Sequence, residues 1–246
     1  MYPILFHIGK VNFYSHGLMI ALGAIVGGGL IFYLAKRENL YRRNLIDLLL
    51  YSLVAGVLGS RILYLILYYY QFDNLKEMWL FWQGGLVSFG GFLFGFLIAG
   101  LYLRKKGEGI LQWFDIGIIG LFLGWAVGRV GCYFAGDIPG INPHLSVPLL
   151  EAGWSLILAF GLFYFYWRKD IFLFYKSGMI FYIGLMGYFL GRFVIDFWRQ
   201  EPILLFHLRG GQIASLSMFI ILAVIFYWLY IKDFLKGDKD VKKNFQ

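Results

Sequence analysis

Seven stretches of this chain run for about 20 residues each with no more than two charges in any of them: 14–35, 45–70, 84–103, 112–135, 148–167, 177–197 and 212–231. An apolar helix needs about 20 residues to cross the hydrocarbon of a bilayer. Strands of a membrane barrel would alternate apolar and polar residues over about 10 positions, and these stretches do not. With 60% of all residues hydrophobic and 15% charged, a soluble fold would lack polar surface. The expected fold is all-α: a polytopic membrane protein of about seven transmembrane helices.

The first ten residues, MYPILFHIGK, have neither a basic start nor a small-residue cleavage site, so the first helix is expected to stay as a span. The loops are short. A single membrane domain over 1–231 and a basic tail over 232–246 are therefore expected.

The net charge of +8 is sorted by side. Lys36, Arg37, Arg42 and Arg43 follow the first stretch, and Arg104, Lys105 and Lys106 the third. Arg168, Lys169 and Lys176 follow the fifth, and five lysines lie in the tail. Those 15 of the 22 basic residues face four on the other side: Lys10, Lys76, Arg199 and Arg209. Basic loops stay in the cytoplasm, which places the N-terminus outside and the C-terminus inside. The charge thus orients the chain, and nucleic acid is not expected as a partner: the aromatic–basic alternation that stacks bases is missing.

Three arginines are left inside the apolar stretches: Arg61, Arg129 and Arg192. Each costs about 2.5–3.5 kcal/mol at mid-membrane and needs a partner or a ligand. Asp196 follows Arg192 by four residues, so one helix face can hold both; buried pairs of that kind are the plain reading for Arg192 and for Arg61. The expected topology also brings Arg129, Asp137, Glu151, Arg192, Arg199 and Gln212 to one outer-leaflet depth. The planar fork of arginine suits phosphate oxygens. A cavity lined this way and open to the outer leaflet points to a phospholipid head group. The chain's 32 glycines recur at three- and four-residue spacings, as in "VGGGL" and "GLFLGWAVGRVG", which reads first as close helix packing.

The order of motifs resembles the phosphatidylglycerol–prolipoprotein diacylglyceryl transferase family of bacteria. The resemblance is carried by "IGKVNFYSHGLMIALG", "LGSRILYLI", "GGLVSFGGFLFG", "GRVGCYFAGDIPG", "VPLLE", "GRFVIDFWRQEP" and "GGQIASLSM", in sequence from Gly9 to Ser215. It implies an enzyme of the inner (plasma) membrane with its site toward the outer leaflet. A diacylglyceryl group would move from phosphatidylglycerol to the lipobox cysteine thiol of a prolipoprotein signal peptide, releasing glycerol phosphate. It implies catalytic roles for Arg129 and Arg192, and substrate contacts for these two and for Asp137, Gly140, Glu151, Arg61 and Gln212. No cofactor is implied, and no metal site is legible, because His7, His16, His144 and His207 lie in separate segments.

Four positions depart from the family pattern. Phe89 stands where a histidine or tyrosine is usual, Cys132 replaces an asparagine, Asp137 replaces a glutamate, and His16 stands where the first span usually has a tyrosine. The usual base is thus missing at its place. His16 is either a hydrogen-bonded structural residue or a displaced base. Alternatively, no side-chain base is needed and the leaving phosphate takes the proton. Cys132 reads as a small buried hydrophobe. A divergent relative acting on or binding another phospholipid, and a non-enzymatic lipid- or peptide-binding relative, stay open on these residues.

Overall fold

The computed structural model describes residues 4–8, 11–40, 43–69, 85, 87–136, 138, 140–142, 144–171, 175–205 and 207–232. Asp137 and the basic tail beyond Lys232 lie outside them. The described chain begins with a short antiparallel hairpin, β1 (Ile4–Ile8) and β2 (Val11–Tyr14). Seven helices follow: α1 (Ser15–Arg37), α2 (Arg43–Leu67), α3 (Ser88–Lys106), α4 (Ile110–Ala135), α5 (Val147–Trp167), α6 (Met179–Ile195) and α7 (Gly210–Phe226). A second hairpin, β3 (Ile203–Leu205) with β4 (Leu208–Arg209), joins α6 to α7.

Among the described residues, six helical segments are long and apolar enough to cross a bilayer: Ser15–Arg37, Leu45–Leu67, Ile110–Ala135, Val147–Trp167, Met179–Trp198 and Gly210–Ile231. α3 matches the third apolar stretch but starts four residues later and closes on Arg104, Lys105 and Lys106; it is not among the six. Mid-helix side chains such as Ile25, Ile157 and Phe160 are 61–69% exposed. That surface suits lipid and would be a large liability in water.

The chain forms two compact units. One holds residues 35–110, in which α2 packs along α3. Glycines set that contact: a Cβ on Gly59 would fall 2.7 Å from the Gly90 carbonyl oxygen, and one on Gly56 or Gly91 would crowd the carbonyl of the other. The other unit holds residues 1–34 and 111–246. There Gly23 and Gly27 of α1 face Gly124 and Gly120 of α4 so closely that a Cβ on Gly124 would sit 2.5 Å from the Gly23 carbonyl oxygen. Lipid tails are as apolar as leucine, so burial cannot drive helices together within a membrane. Close backbone approach at small residues supplies the packing instead.

α5 packs on α6 by the same means, with large residues set against glycines. Leu162, Leu158 and Trp154 of α5 lie over Gly184, Gly187 and Gly191 of α6, and the Trp154 indole donates to the Gly187 carbonyl at 3.0 Å. The start of α6 is fixed from α4. Gly178, at φ +95°, precedes the helix, and no side chain there caps it. Asp115 of α4 does so instead, accepting from the Gly178 and Phe181 amides at 2.7 and 2.8 Å and from the Tyr175 hydroxyl at 2.7 Å. Its carboxylate is 1% exposed. A buried anion at a helix N-terminus meets orphan N–H groups and the positive end of the helix dipole.

The glycine contacts predict opposite signs for one substitution. Gly124→Ala pushes a methyl group into a carbonyl that cannot yield and should destabilise by about 1–3 kcal/mol. Gly29→Ala points into open space and should be neutral or stabilise by up to about 1 kcal/mol. Thermal unfolding of the two variants in detergent reads the contrast.

Candidate active site

Apart from Asp115, the buried charges described in the larger unit gather around one carboxylate. Glu151 is the fifth residue of α5, just past its first turn, and is 5% exposed. Its Oε2 lies 2.8 Å from Arg129 Nε of α4. Its Oε1 accepts from Arg192 Nη1 of α6 and lies 3.9 Å from Arg199 Nη2, just beyond α6. The Arg129 contact is close without hydrogen-bond alignment, since neither atom has a hydrogen-bond partner among the described residues.

A second layer braces the arginines. Arg192 Nε is 3.2 Å from Asp196 Oδ1, the i,i+4 pair that the sequence suggests. Arg199 Nη1 donates to Glu201 Oε1 at 2.9 Å. Arg209 donates to the Asp196 and Glu201 backbone carbonyls at 2.7 and 3.3 Å. Gln212, fully buried, accepts from the Arg209 amide at 2.9 Å and donates to the Phe193 carbonyl at 3.4 Å. Burial lowers the Arg199 pKa from its ordinary value, and the Arg192 charge adds to that; Glu151, Glu201 and Asp196 pull it back up. The guanidinium stays charged. Four guanidiniums against three carboxylates leave the cluster with one positive charge in excess, and Arg199 Nε has no hydrogen-bond partner among the described residues. Such a site suits an anion.

The turn after α4 is tied to the same place. Gly140 bridges to Arg199, and the Ile141 amide donates to the Trp198 carbonyl at 2.9 Å. A Cβ on Gly140 would lie 2.9 Å from the Leu145 carbonyl oxygen, so its contribution is close backbone approach. Inside the bundle, the Arg129 guanidinium stands 4.6 Å over the Trp125 ring, which meets Tyr188 edge-on.

His16 opens α1 and reaches the cluster through Cys132. Its Nδ1 is 3.5 Å from Cys132 Sγ, and Arg129 Nη1 lies 3.8 Å from the same sulfur. Gly131 makes room for this: a Cβ there would fall 2.6 Å from Met19 Cβ and 3.3 Å from His16 Cα. The buried Cys132 is thus more than a small hydrophobe. Nothing in the sequence signals its meeting with a residue 116 positions away.

The larger unit therefore brings together Arg129, Arg192, Glu151, Gln212, Gly140 and His16, with Arg199, Asp196, Glu201 and Arg209 around them. Arg61 belongs to the other unit, where it donates to the Gly85 carbonyl at 3.1 Å and stands 5.4 Å over the Tyr64 ring. Phe89, on α3, also belongs there. Among the described residues no group of histidine, cysteine and carboxylate side chains suits a metal ion.

Removing the carboxylate at the centre should be costly. Glu151→Gln leaves three arginines without their shared anion and should destabilise by about 3–5 kcal/mol. Glu201→Gln should cost no more than about 1 kcal/mol, because that side chain is 35% exposed. Paired thermal unfolding curves in detergent separate the two.

Comparison with known proteins bears on the same residues. The family model described as "Prolipoprotein diacylglyceryl transferase" matches residues 3–228. A protein of Clostridium botulinum (strain Langeland) named phosphatidylglycerol–prolipoprotein diacylglyceryl transferase is 30% identical over 94% of this chain and 98% of its own length. One of the same name from strain 657 is 29% identical over 95% of this chain and its full length. Another, from Clostridium kluyveri, is 29% identical over 94% of this chain and 97% of its own. With a match over nearly its whole length, this chain belongs to the prolipoprotein diacylglyceryl transferase family.

Proposed function

We propose that this protein moves a diacylglyceryl group from phosphatidylglycerol to the lipobox cysteine thiol of a prolipoprotein signal peptide. Glycerol phosphate is the leaving group. The observation that carries this reading is the buried carboxylate of Glu151 holding three guanidiniums, in a chain of this family. The same reading takes the chain as seven spans of a bacterial inner (plasma) membrane, with the N-terminus outside, the C-terminus cytoplasmic and the site toward the outer leaflet. The sorting of 15 basic residues against four supports that orientation.

The chemistry asks for what the cluster offers. The acceptor sulfur attacks the glycerol carbon that carries the phosphate ester. The C–S bond forms as the C–O bond breaks, and the electron pair leaves with the phosphate. A diester with one negative charge becomes a monoester that gains another. Arg129 and Arg192 meet that growing charge, with Arg199 beside them. Because Glu151 has already fixed them, little reorganisation is needed as the bond breaks. Glu151 then acts through the arginines, a change from the direct substrate contact expected of it. Gln212 braces Arg209, and Gly140 keeps the turn after α4 against Arg199. Asp137 and Arg61 remain as proposed substrate contacts on the resemblance alone.

The test is purified protein with labelled phosphatidylglycerol and a lipobox peptide. Lipidated peptide and glycerol phosphate should appear together. Lipid turnover without lipidated peptide would favour the divergent relative, and binding alone the non-enzymatic one. Arg129→Ala should lose about 10²–10³-fold in rate or more, and Arg129→Lys should recover little, because an ammonium cannot bind two phosphate oxygens in a fork. Near-normal turnover in the lysine variant would overturn forked phosphate binding at this site.

The acceptor thiol must also lose its proton. With Phe89 in the usual base position, the imidazole that reaches the cluster through Cys132 is that of His16. If it is the base, His16→Phe should slow the reaction by about 10²–10⁴-fold. An unchanged rate would leave His16 a structural role only.

A further inference from the structure

Near the C-terminal end of α5 lies a feature that the ion cluster does not use. Tyr33 of α1 with Phe163, Tyr164 and Trp167 of α5 lines a cavity of 290 Å³. All four walls are aromatic. Phe163 and Trp167 meet at 5.6 Å, and Tyr33, Tyr164 and Trp167 are 45–63% exposed. Two cations follow at the helix end. The exposed Arg168 guanidinium stands 5.9 Å over the Tyr164 ring, and Lys169 Nζ stands 4.6 Å over the buried Tyr166 ring.

Aromatic residues belt membrane interfaces in general, singly and without a cavity. Here they wall a cleft between two helices, and Arg168 is set over the face of one wall, Tyr164, with Lys169 next along the chain over the Tyr166 ring. Basic pockets between transmembrane helices are suited to anionic lipid head groups. We propose that this cleft binds an anionic phospholipid, with a chain along the aromatic walls and the phosphate at Arg168 and Lys169. A lipid without net charge gains less there, because its own cationic group meets two more. The site is separate from the proposed reaction: Arg168 follows Glu151 by 17 residues, roughly 25 Å along the helix axis.

Trp167 reports on it directly. Full-length protein is placed in bilayers with brominated-chain phosphatidylserine or brominated-chain phosphatidylcholine at equal mole fraction. The quenching due to Trp167 is taken as the difference from Trp167→Phe. Phosphatidylserine is not the proposed donor lipid, so the outcome is independent of transferase activity. Trp167 should show a preference for phosphatidylserine on the order of tenfold, from two basic residues near the surface. The double variant Arg168→Gln with Lys169→Gln should lose it, while its melting temperature stays at the wild-type value. Equal quenching by the two lipids, or a preference that survives the double variant, overturns the proposal.

Discussion

Everything around the candidate site depends on one desolvated carboxylate. Arg129 comes from α4, and Arg192 and Arg199 from the end of α6 and the turn just past it; like charges brought together inside a membrane protein would repel strongly. Glu151 makes their meeting possible. Its own burial would be unfavourable without them. Neither the anion nor the three cations can be placed alone, so α4, α5 and α6 must come together with their charged turns level. Asp196, Glu201 and the carbonyls that Arg209 reaches then fix the guanidinium planes. The excess of one positive charge leaves room for an anion without leaving the empty site strongly repulsive.

Glycines let those helices meet. In the larger unit, α4 lies against α1 at Gly120 and Gly124 and again at Gly131, and α6 accepts Trp154 at Gly191, one residue before Arg192. The same helices carry the charges close by, Arg129 between Gly124 and Gly131 and Arg192 next to Gly191. Packing and electrostatics thus share a register: a shift of α6 along α5 would take Trp154 off Gly191 and Arg192 off Glu151 together. Asp115 contributes from the far end of α4, because it fixes where α6 begins. From there the helix counts 14 residues to Arg192.

How much of this the sequence carried depends on distance along the chain. The apolar stretches and the glycine spacings are local patterns, and the helices follow them closely; the third stretch differs because its charged end lengthens the helix past its apolar part. Arg192 with Asp196 was legible because a helix sets residues four apart on one face. Arg129 stands out as an intramembrane charge that needs a partner, and the need itself is the signal; Glu151 stands out only by sharing its depth. The partners were not legible, since Glu151 could equally have met substrate. Asp115 gave no sign of its role at all: its amide donors lie over 60 residues away. Cys132 was read as apolar filler because a lone cysteine usually is, and its two polar neighbours arrive only through folding.

The departures at Phe89, Cys132 and His16 bear on one another. A Cys132 thiol that attacked the donor itself would end as a thioether, which has no leaving group able to pass the lipid on, so it cannot act as a relay in the way a covalent catalyst must. Its place is beside the reaction. The sulfur lies within reach of Arg129 Nη1, which can only donate, and of His16 Nδ1. A sulfur that accepts from the first is suited to accept from the second, and then Nδ1 carries the imidazole proton. Which ring nitrogen is protonated follows from the hydrogen bond that the other makes. Nε2 becomes the nitrogen with the lone pair. In this arrangement Cys132 needs no reactivity of its own. Its contribution is to orient the α1 histidine, which is the acceptor proposed above for the thiol proton that Phe89 cannot take.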